Sequence, residues 1–279
     1  MTSATMPGAA SLPMYDFPEV RWATDALWAA VAARLTAAGV AAAPDLDRAS
    51  SLPDLWTSPA LLLSQTCGNP YIRRFRDRLR LVATPRYSAP GCDGPRYSSQ
   101  LVVRADAPGD RLEAFRGGVC AVNEWGSLSG WVALAAALPE PPERFFRAAL
   151  TTGAHAASMA AVAAGEADIA AIDCVTYALL QRHRPAATAG LRAIGRTAPA
   201  PGLPLVTRRD ATDETVEALR AAWRGALADP ALAEARAALL IEGLEILSDA
   251  DYDAIPPLPV NTPPLASAPA RRSATAPAP

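Results

Sequence analysis

Residues 118–138 are GVCAVNEWGSLSGWVALAAAL, and this stretch indicates the fold more clearly than any other part of the chain. An apolar strand is predicted over residues 118–124, a Gly- and Ser-rich turn follows, and a helix is predicted over residues 129–138. The first N–H groups of such a helix are unpaired and carry partial positive charge. The turn is therefore a candidate anion site, and capping of the helix by Ser127 or Ser129 is the alternative that the residues leave open.

The same alternation of strand and helix extends along the chain. Further strands are predicted over residues 10–15, 60–65, 78–85, 99–106, 147–153, 167–173, 191–197 and 203–209. Further helices are predicted over residues 19–38, 71–77, 155–164, 175–184, 212–227 and 231–240. The alternation predicts a parallel sheet in an α/β protein, without separating one doubly wound sheet from two lobes.

Polar residues follow two more of the predicted strands. His155 begins a helix directly after Thr152-Gly153-Ala154, and its ring N–H is a candidate donor to an anion, although a partly exposed residue of the capping region is the alternative. Asp173 ends its strand and either holds a cationic ligand group or caps the helix at Val175. Because ligands of open α/β sheets lie beyond the carboxyl ends of strands, Ser127, His155 and Asp173 are expected to share one site.

The composition excludes several classes of function. All 26 basic residues are Arg, so a P-loop lysine and Schiff-base chemistry are ruled out, and two histidines are too few for a His-rich zinc site. Neither Ser127 nor Ser129 stands in a G-x-S-x-G nucleophile elbow. A net charge of −2 gives no reason to expect nucleic acid or an anionic membrane as partner. We therefore expect a protein that is not an enzyme, with no catalytic residue, metal or cofactor.

Cysteines and the N-terminus bear on the cellular compartment. Cys120 and Cys174 lie in apolar runs and are expected to be buried thiols, whereas Cys67 and Cys92 lie in Gly/Pro-rich loops where the sequence leaves a disulfide open. Residues 1–17 have neither a basic segment nor an apolar core of the kind found in secretory signals, and no run is long enough to span a membrane. As written, the sequence predicts a cytoplasmic location and no membrane insertion.

Four segments together carry a resemblance to a known family. They are the strand and Ser-Leu-Ser-Gly turn within residues 118–138, Thr152-Gly153-Ala154-His155, the Gly-Glu-Ala-Asp turn with its Ala-rich strand up to Asp173, and residues 92–108. In this order and spacing they resemble the phosphate, phosphite and phosphonate substrate-binding proteins of ABC transporters. The resemblance extends over about residues 10 to 250. It implies a two-lobed α/β fold of the type II periplasmic-binding-protein kind, with a ligand cleft between the lobes and a periplasmic location.

The resemblance also implies roles for individual residues. Ser127, Leu128 and Ser129 would surround the oxyanion together with His155, although the family commonly has a hydroxyl residue where Leu128 stands. Tyr15, Gln65 and Thr66 would face the ligand from the first lobe, and Asp173 would contact a substituent of the ligand. Ser64-Gln65-Thr66-Cys67-Gly68 departs from the usual first-lobe sequence, and an importer component needs an export signal that residues 1–17 do not show.

These observations lead to one interpretation with alternatives. Lobe 1 is expected over residues 9–98 and 192–255, lobe 2 over residues 99–191, and disordered tails over residues 1–8 and 256–279. The expected function is capture of a small oxyanion of the phosphonate, phosphite or phosphate type for ABC-type uptake, with a transporter permease as partner. The alternative is a cytoplasmic enzyme or ligand sensor on the same fold, such as an enzyme of the menaquinone-pathway type.

Overall fold

A computed structural model describes residues 7–258 and 265–268. The chain folds into two compact units. The described residues of Met1–Tyr97 and Pro199–Ile255 belong to unit 1, and those of Ser98–Ala198 and Pro256–Pro279 belong to unit 2. The chain therefore leaves unit 1 at Tyr97 and returns to it at Pro199.

Thirteen strands are found in the described residues: β1 (Ala9–Ser11), β2 (Leu61–Gln65), β3 (Leu79–Tyr87), β4 (Cys92–Asp93), β5 (Arg96–Tyr97), β6 (Ser99–Arg104), β7 (Val119–Val122), β8 (Ala148–Thr151), β9 (Ile169–Asp173), β10 (Leu191–Arg196), β11 (Ala200–Pro201), β12 (Leu205–Arg208) and β13 (Ile241–Glu245). The α-helices are α1 (Arg21–Ala37), α2 (Leu52–Thr57), α3 (Gly68–Pro70), α4 (Ala133–Ala137), α5 (Pro142–Phe145), α6 (His155–Ala163), α7 (Cys174–His183), α8 (Pro185–Thr188), α9 (Asp213–Ala228), α10 (Ala233–Ala238) and α11 (Asp249–Tyr252). Wider π-type turns cover Tyr71–Phe75 and Leu128–Val132, and 3₁₀ turns cover Leu112–Phe115 and Pro230–Leu232.

Unit 1 is built on a five-stranded sheet with the order β1-β2-β12-β3-β13. Helix α1 packs on α9, and its buried residues recur every three or four positions, which places Trp28, Val31 and Leu35 on one face. They join Leu63 and Trp223 in the main core of the unit. Burial of this apolar stripe, more than helix propensity, stabilises α1. A small three-stranded sheet, β11-β5-β4, completes the unit.

Unit 2 contains a five-stranded sheet with the order β10-β6-β9-β7-β8. Strands β9, β7 and β8 are parallel neighbours, whereas β6 pairs antiparallel with both β9 and β10. Burial of all residues in β7 and β9 accounts for their continuous apolar sequences. Because the three parallel strands lie side by side, their carboxyl ends share one edge of the sheet.

The prediction of a parallel sheet is wrong in part, since both large sheets are mixed. In unit 1, β12 pairs antiparallel with β2 and β3, and β13 pairs antiparallel with β3. Strand–helix alternation indicates that crossovers exist, but it does not indicate where a returning strand inserts. Strand β1 is also shorter than expected, because residues 12–15 leave it for a turn.

The four cysteines test two further expectations from the sequence, one about burial and one about a disulfide. Cys120 and Cys174 are buried, as expected, and burial raises the pKa of the Cys120 thiol to about 12. Cys67 and Cys92 are not joined by a disulfide.

The predicted disordered tails lie mostly outside the described residues, and two described parts of them differ from the prediction. Gly8 donates to Ala41 and accepts from Ala43, and residues 266–268 exchange backbone hydrogen bonds with Ala149 of β8. Strand β8 is an edge strand of its sheet, so its unpaired backbone groups are available to an added segment. None of the helices among the described residues has the length and apolar character that crossing a membrane requires.

Candidate functional site

The candidate site of unit 2 lies at the carboxyl ends of its parallel strands. Strand β7 leads into the Ser127 turn, β8 leads to Thr152 and His155, and β9 ends at Asp173. Val122 is in register with Thr151 across β7 and β8, and Ser99 is opposite Asp173 across β6 and β9. The sheet therefore brings the segments chosen from the sequence to one edge.

Ser127 caps the helical turn that begins at Leu128. Its Oγ accepts a hydrogen bond from the Gly130 N–H at 3.1 Å, so the capping alternative is correct for this residue. Gly130 has a second reason to lack a side chain, because a Cβ built on it would overlap Oδ1 of Asn123. The carboxamide of Asn123 thus packs directly over the turn, and its Oδ1 is buried with no hydrogen-bond partner among the described residues.

Ser129 and His155 form the polar centre of the site. Oγ of Ser129 lies 2.9 Å from Nε2 of His155, and the Ser129 side chain is buried. The carbonyl of Ser129 accepts a hydrogen bond from Oγ of Ser99 at 2.9 Å, and the Ser99 N–H donates to Oγ1 of Thr197. Ser129 is thus held through both its backbone carbonyl and its side-chain hydroxyl.

The loop before His155 is fixed by Thr152. Oγ1 of Thr152 forms a hydrogen bond of 2.6 Å with Oγ of buried Ser158, and it donates to the backbone carbonyl of Ala154. Gly153 adopts a positive φ of 85° and donates its N–H to the carbonyl of Asn123. The Thr-Gly pair therefore links the ends of β7 and β8 and sets the position of α6 and its first residue, His155.

His155 is neutral at pH 7 in this setting. Burial disfavours the imidazolium and lowers the pKa of His155 from 6.5 to about 4, and the nearby carbonyl of Ala171 offsets this shift only in part. A neutral imidazole has one N–H and one acceptor nitrogen. When Nε2 carries the proton and donates to Oγ of Ser129, the Ser129 O–H is left to donate to a bound oxyanion.

We expect acid to destabilise the protein through His155. The unfolded state, with a histidine pKa of 6.5, binds this proton before the folded state does, so the contribution is present above pH 6.5 and is lost as the pH falls toward about 4. The loss amounts to roughly 3 kcal/mol at most. Urea unfolding of the wild type and of His155→Gln between pH 4 and 7.5 measures it, with His183→Gln as the matched histidine control. Equal pH slopes in all three proteins would contradict the assignment.

Asp173 occupies the N-cap of α7. Its Oδ1 accepts hydrogen bonds from the N–H groups of Val175 at 2.8 Å and Thr176 at 2.9 Å, and its side chain is 3% exposed. These contacts establish the capping role that the sequence left open. A role in contacting a substituent of the ligand stays a prediction.

The two roles of Asp173 predict different outcomes for two variants. Asp173→Ala is expected to lower the free energy of unfolding by about 1–2 kcal/mol because two N–H groups lose their acceptor, whereas Asp173→Asn retains a capping oxygen and costs only a few tenths. Urea unfolding compares them. Wild-type stability in Asp173→Ala would refute the cap.

Unit 1 holds the remaining predicted residues. Tyr15 packs edge-on against Tyr87 with ring centroids 5.1 Å apart, and Nε2 of Gln65 donates to Oη of Tyr87 at 3.2 Å. All three line a cavity of about 30 Å³ within this unit. Thr66 is fully buried and its Oγ1 donates to the Cys67 carbonyl, so its side chain is engaged with the chain itself.

Structure adds residues that the sequence did not single out. Tyr87 connects Tyr15 with Gln65 in unit 1, and Asn123, Ser99 and Thr197 support the Ser127–Ser129 turn in unit 2. Asn123 stands directly after a strand, which is a usable signal, whereas Ser99 and Thr197 are marked by nothing local. Leu128 is 1% exposed and contributes an apolar side chain. Within residues 7–258 and 265–268, no group of three or more His, Cys, Asp and Glu side chains is arranged to hold a metal ion.

Several solved structures of other proteins share this fold. A binding-protein component of a phosphonate ABC transporter from Pseudomonas aeruginosa matches with a TM-score of 0.70 and 17% identity, covering 88% of this chain and 83% of that one. PhnD1 from Prochlorococcus marinus, in complex with methylphosphonate, matches with a TM-score of 0.63 and 14% identity, covering 89% and 95%. A Xanthomonas citri protein bound to chloride matches with a TM-score of 0.67 and 17% identity, covering 90% and 95%. The chain therefore has the two-lobed type II periplasmic-binding-protein fold, as the sequence predicted.

The family follows from the sequence match. Residues 63–252 match the family of periplasmic substrate-binding proteins of phosphonate ABC transporters, and this range is more than half of the chain. The chain belongs to that family, which confirms the resemblance noted from its motifs. A search of curated proteins found no match.

Proposed function

We propose that this protein reversibly captures a small phosphorus oxyanion, of the phosphonate, phosphite or phosphate type, and delivers it to the permease of an ABC transporter. The observation that carries the proposal is the hydrogen bond between Ser129 and His155 at the carboxyl edge of the parallel strands. Membership of the phosphonate-transporter family supports the choice of ligand class.

A neutral donor set suits this task. The Ser129 hydroxyl, the His155 imidazole and the backbone N–H groups of the turn would hold an oxyanion through dipoles, without a buried counter-charge. Capture of this kind is reversible, and Nδ1 of His155 has no hydrogen-bond partner among the described residues that would orient the ring as a catalytic base.

A titration panel tests the proposal. Isothermal calorimetry of the purified chain is performed with methylphosphonate, 2-aminoethylphosphonate, phosphite, phosphate, sulfate and acetate. We expect saturable binding of at least one phosphorus oxyanion, weakened about 10- to 100-fold in Ser129→Ala, since a hydrogen bond to a charged group contributes roughly 1.5–3 kcal/mol. Absence of binding to every phosphorus oxyanion, or unchanged affinity in Ser129→Ala, would refute it.

Two further variants refine the result. His155→Gln removes the imidazole but retains an N–H donor, so a smaller loss than in Ser129→Ala is expected. Asp173→Asn retains the helix cap and removes the negative charge. If Asp173→Asn weakens the binding of 2-aminoethylphosphonate but not that of methylphosphonate, Asp173 holds the ligand's ammonium group. If the variant changes the affinity for both ligands equally, Asp173 acts only as a helix cap.

A further inference from the structure

A cavity in unit 2 lies at the edge of the same sheet opposite to the oxyanion site. It has a volume of about 340 Å³ and is formed where β7 and β8 begin, beside Gly118 and Arg147. Strand β7 separates it from the Ser127 turn, and four strand residues span about 13 Å. Its size falls within the range of small-molecule sites, roughly 300–1,000 Å³. None of the residues assigned to the oxyanion site lines this cavity.

The lining of this cavity is basic, although the chain as a whole has a net charge of −2. Arg104, Arg116 and Arg147 contribute three guanidinium groups, and Asp168 is the one carboxylate among the lining residues. Asp168 already accepts the Val119 N–H at 2.7 Å, which ties it to the backbone. A local surplus of positive charge in a concave surface attracts anions more strongly than the same charge on an open surface does.

Each arginine retains donors that face no carboxylate. Arg104 uses its Nε for Asp106, a residue whose side chain is 75% exposed, and such an exposed ion pair contributes little. Arg116 pairs with Glu140 through one terminal nitrogen and lies over the ring of Phe145. Arg147 makes no ion pair within the described part of the chain. A guanidinium has five N–H donors, so most of them are available to a ligand.

Glycines leave the floor of the cavity without side chains. Gly117 and Gly165 adopt positive φ values of 76° and 71°, where other residues are strained. A Cβ built on Gly117 would have no neighbouring atom within 4 Å. A Cβ built on Gly165 would have one such neighbour, Nη1 of Arg104 at 3.3 Å. A ligand can therefore approach the backbone and the Arg104 guanidinium together.

We propose that this cavity is a second binding site, for a small molecule that carries two or more phosphate groups. Guanidinium groups bind phosphate oxygens in bidentate pairs, and three of them around one cavity match the many oxygens of a polyphosphate. A planar monocarboxylate offers two oxygens and would leave most of these donors unused. The site is independent of the oxyanion site, because it shares no side chain with it.

Calorimetry with inorganic tripolyphosphate on the full chain tests the proposal. We expect saturable binding that weakens at least tenfold in Arg147→Gln and again in the double variant with Arg104→Gln. Arg144→Gln is the matched control, because Arg144 lies three residues from Arg147, is exposed and does not line the cavity. It is expected to bind as the wild type does.

Ser129→Ala separates this site from the oxyanion site. Tripolyphosphate affinity is expected to be unchanged in Ser129→Ala, whatever that variant does to phosphonates. Absence of saturable binding, equal losses in Arg144→Gln and Arg147→Gln, or loss of binding in Ser129→Ala would each overturn the proposal. Thermal unfolding without ligand shows that the variants are folded, and replacement of exposed arginines is expected to leave it nearly unchanged.

Discussion

Gly130→Ala is expected to reduce oxyanion affinity at least tenfold and to lower the free energy of unfolding by about 1–3 kcal/mol. The new Cβ would overlap Oδ1 of Asn123 and lie 2.7 Å from its Cγ, so the carboxamide or the turn must move. Because Gly130 also donates its N–H to Ser127, movement of the turn displaces the neighbouring Ser129 hydroxyl from its position beside His155. Calorimetry and urea unfolding measure the two effects.

Two controls isolate the steric cause. Gly126→Ala lies in the same turn, where a Cβ would meet Oε1 of Glu124 at an ordinary 3.6 Å, so it is expected to behave as the wild type does. Adding Asn123→Ala to Gly130→Ala removes the close contact and leaves Ser127 Oγ at 3.3 Å as the nearest atom. The double variant should therefore be more stable than Gly130→Ala alone. If it is not, Asn123 is not the cause.

Tyr252→Ala should have the largest effect on stability, about 3–5 kcal/mol. Tyr252 is fully buried in unit 1, and its ring packs edge-on against Tyr71 with centroids 5.7 Å apart. Its hydroxyl donates to the Gly202 carbonyl at 2.9 Å and shares a 2.7 Å hydrogen bond with Oγ1 of Thr84. Differential scanning calorimetry should show a fall in Tm of roughly 10 °C for a chain of this size.

Tyr252→Phe divides this effect into its parts. The ring is retained and only the hydroxyl is removed, which leaves Thr84 and the Gly202 carbonyl without this partner, so a loss of about 1–3 kcal/mol is expected. A loss as large as that of Tyr252→Ala would show that packing contributes little. Wild-type stability in both variants would contradict the role of Tyr252 in the core of unit 1.

Local signals predicted most of the elements. Helix α1 was expected over residues 19–38 and is found over Arg21–Ala37, because its apolar residues recur with helical spacing and Gly39, at φ 81°, ends it. The short elements were missed: strands β4, β5, β11 and β13, and helices α2, α3, α5, α8 and α11. IEGLE is short and partly polar, and it becomes a strand because β3 offers a paired edge, while α11 is only four residues long.

The tryptophans show that apolar spacing along a helix does not by itself predict which side chains are buried. Trp22, Trp28 and Trp223 all lie in helices with apolar spacing, a pattern that favours burial in the core. Trp28 and Trp223 are buried, but Trp22 is 48% exposed. A periodicity of 3.6 residues defines a face only to within one position, and which side chains at its border are covered depends on the partner element.

For the candidate site, the sequence predicted which residues are involved, but not what each of them does. Ser127, Ser129, His155 and Asp173 were predicted from the sequence, since each follows a strand and lies at the start of a helical segment, where backbone N–H groups are unpaired. The different roles of these four residues were not predicted. Ser127 and Asp173 use side-chain oxygens as caps, whereas Ser129 contacts His155, a residue 26 positions away.

The sequence by itself determined the order of the longer strands and helices, the Ser-rich turn and the family, because these depend on local periodicity and short motifs. Only the tertiary structure decided that the sheets are mixed, that Asn123 occupies the space over Gly130, that Tyr252 is buried, and that three arginines surround one cavity. The physical reason is the same in each case. These features depend on which distant segments satisfy one another's backbone hydrogen bonds and fill one another's volume, and neither is encoded in neighbouring residues.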